Sequence, residues 1–230
     1  MTIPILFEDN DVIAVNKPEG LTSIPGSEKG KDTLLGLFSK QYDQKIFVVH
    51  RLDKDVSGVM LFAKNAAAHK CLNDQFANHT IKKTYIAVVH GALDAAKGSI
   101  NKPIHQFGSG RMGVDELRGK PSSTEFEVLD RFAKFTLVKA NPHTGRKHQI
   151  RVHFYSIGHP VAGDRLYGDK AAQAVFPRMM LHAQDITFKL PSGEEKTVEA
   201  PLAESFKAVM DSIKDGSKLQ VPGLQVNGTP

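Results

Sequence analysis

The apolar residues of this chain fall in short runs of strand length broken by polar turns, and that spacing narrows the fold more than any other feature. Residues 5–16 (ILFEDNDVIAVN) read as two short strands around a polar turn at Glu8–Asp11. Residues 46–49 (IFVV) and 59–63 (VMLFA) read as buried strands. Residues 83–90 (KTYIAVVH) alternate, with Tyr85, Ala87 and Val89 on one face and Thr84, Ile86 and Val88 on the other. Thr124–Asp130 and Phe135–Ala140 are further strands. Helical spacing is confined to a few stretches: a short helix over 33–43, one capped by Asn65 and running to Asn78, one from Lys147 to Ile157, and one over 203–214. Strands and helices mix without regular strand–helix–strand alternation. That predicts an α+β fold with a mixed or largely antiparallel sheet.

The 230 residues suffice for one sizeable core or two small ones, and no linker divides them convincingly. Residues 216–230, with scattered Gly and Pro, read as a loose C-terminal tail after a domain spanning 1–215. An apolar fraction of 40% and a charged fraction of 24% are those of an ordinary globular protein. No apolar run approaches the ~20 residues needed to span a bilayer, and Met1–Asn10 lacks the pattern of a secretory signal. Cys71 is the only cysteine, which excludes an internal disulfide and suits a reducing cytoplasm. The formal charge of +5 favours a polyanionic partner. Basic residues crowd into Lys82–Lys83, Arg111–Lys120 and Arg146–Arg151, and residues 105–122 read as a mobile, basic loop or hairpin.

Two constellations carry chemistry. The segment His50–Gly58 is a charged connection between two apolar strands, the kind of scaffold on which sites are built. Within it, Asp53 is flanked by Arg51 and Lys54. A carboxylate near guanidinium groups stays ionised and can act as nucleophile or base. A structural salt bridge would use the same residues. The second constellation, Thr144–His153 (TGRKHQIRVH), packs three cationic groups and two imidazoles at a helix start, where free N–H groups and the dipole favour phosphate. A solvated basic face is the competing account, and Lys147, Arg151 and Tyr155 recur on a face separate from the apolar stripe of Ile150, Phe154 and Ile157. His143, His148 and His153 are five residues apart, the wrong spacing for metal ligands on one helix face, so no metal is expected. Ser57–Gly58 lacks the nucleophile-elbow pattern, and no P-loop or dinucleotide fingerprint follows a strand.

Taken together, these segments resemble the RluA-type RNA pseudouridine synthases. HRLDKDVSGVMLFAKN at 50–65 resembles their active-site motif, KKTYIAVVHG at 82–91 their K-x-Y-x-A motif, and TGRKHQIRVH at 144–153 their third motif. GHPVAGDRLYG at 158–168 continues the match, and NKPEGLTSIPG at 16–26 looks like the N-terminal signature. The resemblance implies a pseudouridine synthase catalytic domain over 1–215, with a mixed, mainly antiparallel central sheet cleft by the active site. It leaves no room for the separate N-terminal RNA-binding domain of some relatives. It implies Asp53 as catalytic aspartate, Tyr85 as the ring that stacks on the target uracil, and Arg151 as the arginine paired with the aspartate, by a bidentate pair if geometry permits. Arg51 would hold or replace the displaced nucleotide. His50, Lys82, Lys83, Arg111, Arg118, Arg146, Lys147 and His148 would contact RNA. No cofactor and no metal are implied. The substrate would be ribosomal RNA, transfer RNA or both, in the cytoplasm, with the protein a monomer. Val56 stands where the motif has Thr, which tunes the site by removing a hydroxyl. An idle RNA-binding protein on the same fold, or a glycosylase using the same carboxylate, are the rival functions.

Overall fold

The structure is a computed structural model that describes residues 2–25, 32–42 and 45–216. Apart from Gly216, the tail expected at 216–230 lies outside the described residues, as does Gly26 of the opening motif. The chain begins with the hairpin β1 (Ile5–Glu8) and β2 (Val12–Lys17), followed by α1 (Leu34–Gln41), β3 (Phe47–Val48), β4 (Ser57–Ala63) and α2 (Ala66–Ala77). Next come β5 (Lys82–His90), β6 (Lys97–Asn101), β7 (Ile104–Gln106), β8 (Met112–Val114), β9 (Ser123–Arg131) and β10 (Phe135–Pro142). The chain then forms α3 (Gln149–Ser156), α4 (Lys170–Ala174), β11 (Leu181–Lys189), β12 (Glu195–Glu199) and α5 (Glu204–Lys214).

Among the described residues, one sheet carries ten strands in the order β1-β2-β4-β11-β5-β10-β9-β6, with β3 added to β4 and β12 to β11. β7 and β8 pair apart from it, so the 105–122 stretch does contain a hairpin. All the strand pairs are antiparallel except β4 with β11. That parallel pairing covers two residues, His182 with Ser57 and Ala183 with Gly58. Beyond it β12 takes the place of β4 against β11. Gly58 has φ +115°, and a Cβ there would collide with the Ala183 backbone. Only glycine fits where the two strands part.

The alternation read in β5 sorts its side chains between two cores. Ala87 and Val89 join the larger cluster, with Tyr85 packed against it, while Val88 joins a second cluster with Phe176, Phe206 and Met210. Every residue of β4 is buried. Filling such a position with Leu61 or Phe62, each fully buried, contributes about 1.5–3 kcal/mol. α2 starts where Asn65 accepts the Ala68 N–H at 2.9 Å.

Three expectations shift. The run 46–49 pairs with β4 only at Phe47 and Val48, and both are half-buried because they add to the sheet off its main path. α3 begins two residues later than Lys147, since the Gln149 side chain accepts from the Thr144 hydroxyl and the Arg146 N–H and folds 144–148 into a turn. Arg151 does not sit on a solvated face: it is 6% exposed, held by acids described below. The sequence reading passed over β6, α4, β11 and β12. β11 carries His182, Gln184 and Asp185 among its apolar residues, which hides its period.

Candidate active site

Asp53 sits on the connection from β3 to β4, its side chain a quarter exposed (24%). Its neighbours Leu52 and Val56 are buried and act as anchors. The segment is tied down by residues that end and follow β2. Ser23 donates its hydroxyl to the Leu52 carbonyl at 2.7 Å. Fully buried Lys17 donates to the carbonyls of Pro18, Leu21 and Lys54 at 2.8, 2.7 and 2.9 Å. Burial pulls the Lys17 ammonium down to about 7, while the charges of Asp55, Glu19 and Asp53 push it back up. Buried Arg178 adds a second tie, pairing with Glu19 at 3.0 Å and donating to the Ser57 hydroxyl at 2.6 Å. Ser57 also lies 2.8 Å from His182 Nδ1, but both side chains are buried inside this network.

The guanidinium of Arg151 reaches Asp53 through one N–H. Nη1 donates to Asp53 Oδ2 at 2.7 Å. The paired donors Nε and Nη2 go instead to Asp164, at 2.6 and 2.9 Å. The expected bidentate pair with Asp53 is therefore corrected: the fork grips Asp164, and Asp53 receives the remaining arm. Asp164 also accepts the Leu166 and Tyr167 N–H groups. Burial acts to lower the Arg151 pKa, but hydrogen bonds and charge from Asp164, then Asp53, outweigh it and raise it. This arrangement leaves Asp53 with one oxygen fixed and the other, Oδ1, turned toward His148.

His148 adopts a left-handed backbone (φ 56°) at the start of α3. Its Nδ1 lies 3.0 Å from the Tyr167 hydroxyl. Its other ring nitrogen, Nε2, lies 3.8 Å from Asp53 Oδ1. Burial pulls this imidazole down to about 4, against the opposing charge of Asp53, so it is neutral at pH 7. Tyr167 also packs under the guanidinium groups of Arg151 and Arg111, at 5.2 and 5.1 Å.

Asp53 opens onto a cavity of about 800 Å³ whose walls include Tyr85, Lys83, Arg146, Ile150 and Leu181. Its size is within the ~300–1,000 Å³ range of ligand sites. The Tyr85 hydroxyl has its pKa raised by burial and by the Asp53 charge, which keeps it a neutral phenol. Lys83 donates to the Thr144 carbonyl at 3.2 Å, and burial draws it down to about 8. Val56, in place of the motif's Thr, is an apolar wall residue.

The remaining expected RNA contacts divide. Arg51, Arg146, Lys147 and His148 line the cavity. His50 lines it too, but its Nε2 accepts the Leu61 N–H at 2.9 Å and its ring lies on Phe76 at 4.9 Å. Burial, with the Lys83 charge adding to it, takes His50 down to about 3, so it is a neutral wall group and not a cation. Lys82 is exposed outside the cavity, since successive β5 residues point to opposite faces. Arg118 is held by Asp115 at 2.6 Å, and Arg111 is stacked on Tyr155 and Tyr167; neither lines the cavity. Sequence reasoning assigned no role to Lys17, Asp164 or Tyr167. The last two fall in the quoted stretch 158–168, and Lys17 in 16–26, so the signal was present without a function attached.

Among the described residues no His, Cys, Asp and Glu side chains gather into a metal-holding group. The side chains gathered at the cavity are a positioned carboxylate, a neutral imidazole and a phenol.

A family described as RNA pseudouridylate synthase matches residues 11–156. The chain is 40% identical over 202 residues to the dual-specificity RNA pseudouridine synthase RluA of Escherichia coli K12, covering 86% of this chain and 92% of that protein. It is 37% identical over 222 residues to the ribosomal large subunit pseudouridine synthase C of Pasteurella multocida, covering 92% and 68%. It is 39% identical over 224 residues to an uncharacterised RNA pseudouridine synthase, YlyB, of Bacillus subtilis, covering 93% and 74%. The solved structure of human RNA pseudouridylate synthase domain containing 1 superposes with a TM-score of 0.75 at 25% identity, covering 94% of this chain and 96% of that one.

Proposed function

Because the chain belongs to the RNA pseudouridylate synthase family and isomerises uridine in RNA to pseudouridine, we propose that Asp53 is the carboxylate that performs the reaction here. The observation that carries this reading is its dual setting. Arg151 fixes one oxygen at 2.7 Å, while the other faces a cavity roofed by Tyr85. The isomerisation detaches uracil from C1′, turns it, and rejoins it through C5, whose proton passes to water. A stacked base has no room to turn, so the target uridine is flipped out into the 800 Å³ cavity. Tyr85 stacks on the freed base. Asp53 acts at the sugar–base bond, oriented by Arg151, which is itself held by Asp164.

The RNA is ribosomal RNA, transfer RNA or both. Two of the relatives, one a dual-specificity RNA pseudouridine synthase and one a synthase of the large ribosomal subunit, support ribosomal RNA and more than one kind of target. Arg51, Arg146 and Lys147 at the cavity mouth hold the phosphates. All the catalytic groups come from one chain, which suits a monomer. The single cysteine suits the cytoplasm. Pseudouridine mapping of ribosomal and transfer RNA from cells lacking the gene tests this. One or more sites must vanish, return with the wild-type gene, and stay absent with Asp53→Asn. Restoration by Asp53→Asn overturns the assignment of the aspartate.

A further inference from the structure

A second cavity, of about 310 Å³, adjoins the first. The two share a wall formed by Arg51, Leu52, Asp53, Lys147, His148 and Arg151. The volume lies at the lower end of the ~300–1,000 Å³ of ligand sites, which suits one nucleotide and not a duplex. Its surroundings are of two kinds. Ile24, Pro25, Leu52, Met179 and Leu166 give it apolar walls, and Leu166 is left 52% exposed at the edge. Arg51, Lys54, Lys147 and Arg165 ring it with positive charge. All four are exposed, and none has an ion pair or a side-chain hydrogen bond with another described residue. Of its acids, Asp53 and Asp164 are engaged by Arg151, leaving Asp55 against the four cations.

We propose that this second cavity seats the nucleotide next to the target uridine in the same RNA strand, its base on the Leu166–Pro25–Ile24 surface and its phosphate on Lys54 and Arg165. The inference rests on the proposed function and deepens it. A strand whose uridine enters the first cavity must continue across the shared wall, and the second cavity is what it meets there. Apolar surface under a cationic rim is the chemistry that stacks a base and neutralises its phosphate. The unpaired state of the cations fits the same use, since lysines and arginines without an acid partner are free to neutralise phosphates and displace the counterions condensed on the RNA. The site would therefore select the sequence or shape of RNA beside the target, apart from the chemistry at Asp53.

The test compares the full chain with the double variant Lys54→Ala/Arg165→Ala, with Leu166→Ser, and with a control, Lys70→Ala/Lys97→Ala, whose lysines line neither cavity. The probe is total RNA from cells lacking the protein, labelled at uridine C5. Tritium release gives kcat and KM across a salt series, and direct binding of the same RNA is measured in parallel. The double variant is expected to raise KM about tenfold, with kcat within about threefold. Its plot of log affinity against log salt should be shallower than wild type by about 0.7, the value for the one single-strand phosphate that the two cations share. Leu166→Ser should raise KM several-fold with the salt slope unchanged. A double variant that matches the control in KM and slope overturns the proposal. So does a loss confined to kcat, which would make these side chains supports of the Asp53 segment. If wild type releases no tritium, the isomerase reading fails, and the binding slopes still decide whether the cations meet RNA.

Discussion

Replacing Asp164 with Asn tests the chain of support behind the aspartate. Asp164 is buried, its side chain wholly shielded, and accepts four N–H groups: two from Arg151 and those of Leu166 and Tyr167. Asn has the same shape but one acceptor. Turned to keep Leu166, Tyr167 and Nη2 on its oxygen, it sets an NH₂ against Arg151 Nε, a donor facing a donor in place of a 2.6 Å bond. The guanidinium also loses one of its two counter-charges. Removing one partner of a buried ion pair costs about 3–5 kcal/mol, and Asp53 remains to compensate, so about 3 kcal/mol is expected. At about 2–4 °C per kcal/mol for a chain of this length, Tm falls by about 6–12 °C. The loosened arginine no longer fixes Asp53 Oδ2, and a displacement near 1 Å at a reacting group costs about 100-fold in rate. Calorimetry with tritium-release kinetics reads both effects, with RNA affinity within a few-fold of wild type. A Tm shift under about 2 °C together with kcat within twofold would refute the argument that Asp164 holds Arg151 for Asp53.

Tyr85→Phe keeps the stacking ring and loses the hydroxyl, so turnover should stay within about tenfold of wild type while Asp53→Asn abolishes it; an equally deep loss would make the hydroxyl essential. Gly58→Ala puts a Cβ against the Ala183 backbone at a φ of +115°, so the β4–β11 pairing should open and Tm drop by more than about 10 °C in calorimetry; near-wild-type melting would contradict that contact. His50 and His148 are held near 3 and 4, below the 6.5 of an unstrained imidazole. Between about pH 6.5 and 4 the unfolded chain binds protons that the fold refuses, so urea midpoints should fall as pH falls through that window; above it this histidine contribution is complete, and any further rise with pH belongs to the depressed Lys17 and Lys83. His50→Gln, which keeps an acceptor for the Leu61 N–H, should flatten the curve; an unchanged slope would remove His50 from the account.

Much of the frame was legible because it rests on local signals. Asn65 caps α2 as its side chain dictates, and the alternation at Tyr85–Val89 assigned each residue to the core it occupies. What escaped was non-local. β11 gains its place from partners on both sides, β4 and β12 in turn along one edge and β5 along the other, and its own sequence mixes His182, Gln184 and Asp185 with apolar residues. The pairing of Arg151 with Asp53 came only from the family resemblance, because its acids lie 98 positions before it and 13 after it in the chain. The helix start at Gln149 depended on a side-chain hydrogen-bond pattern that periodicity does not report. Lys17 was passed over because a lysine reads as surface, yet three carbonyls from two separate segments converge on it.

The most direct test of the account is tritium release from RNA labelled at uridine C5, with wild type and Asp53→Asn assayed side by side. Total RNA from cells lacking the protein serves as substrate. Joining the sugar to C5 expels that hydrogen into water, and hydrolysis of the glycosidic bond does not. Release by wild type, none by Asp53→Asn, and equal RNA binding by both is the predicted result. Tight binding by both proteins with no release from either would contradict it and leave an RNA-binding protein with an idle site.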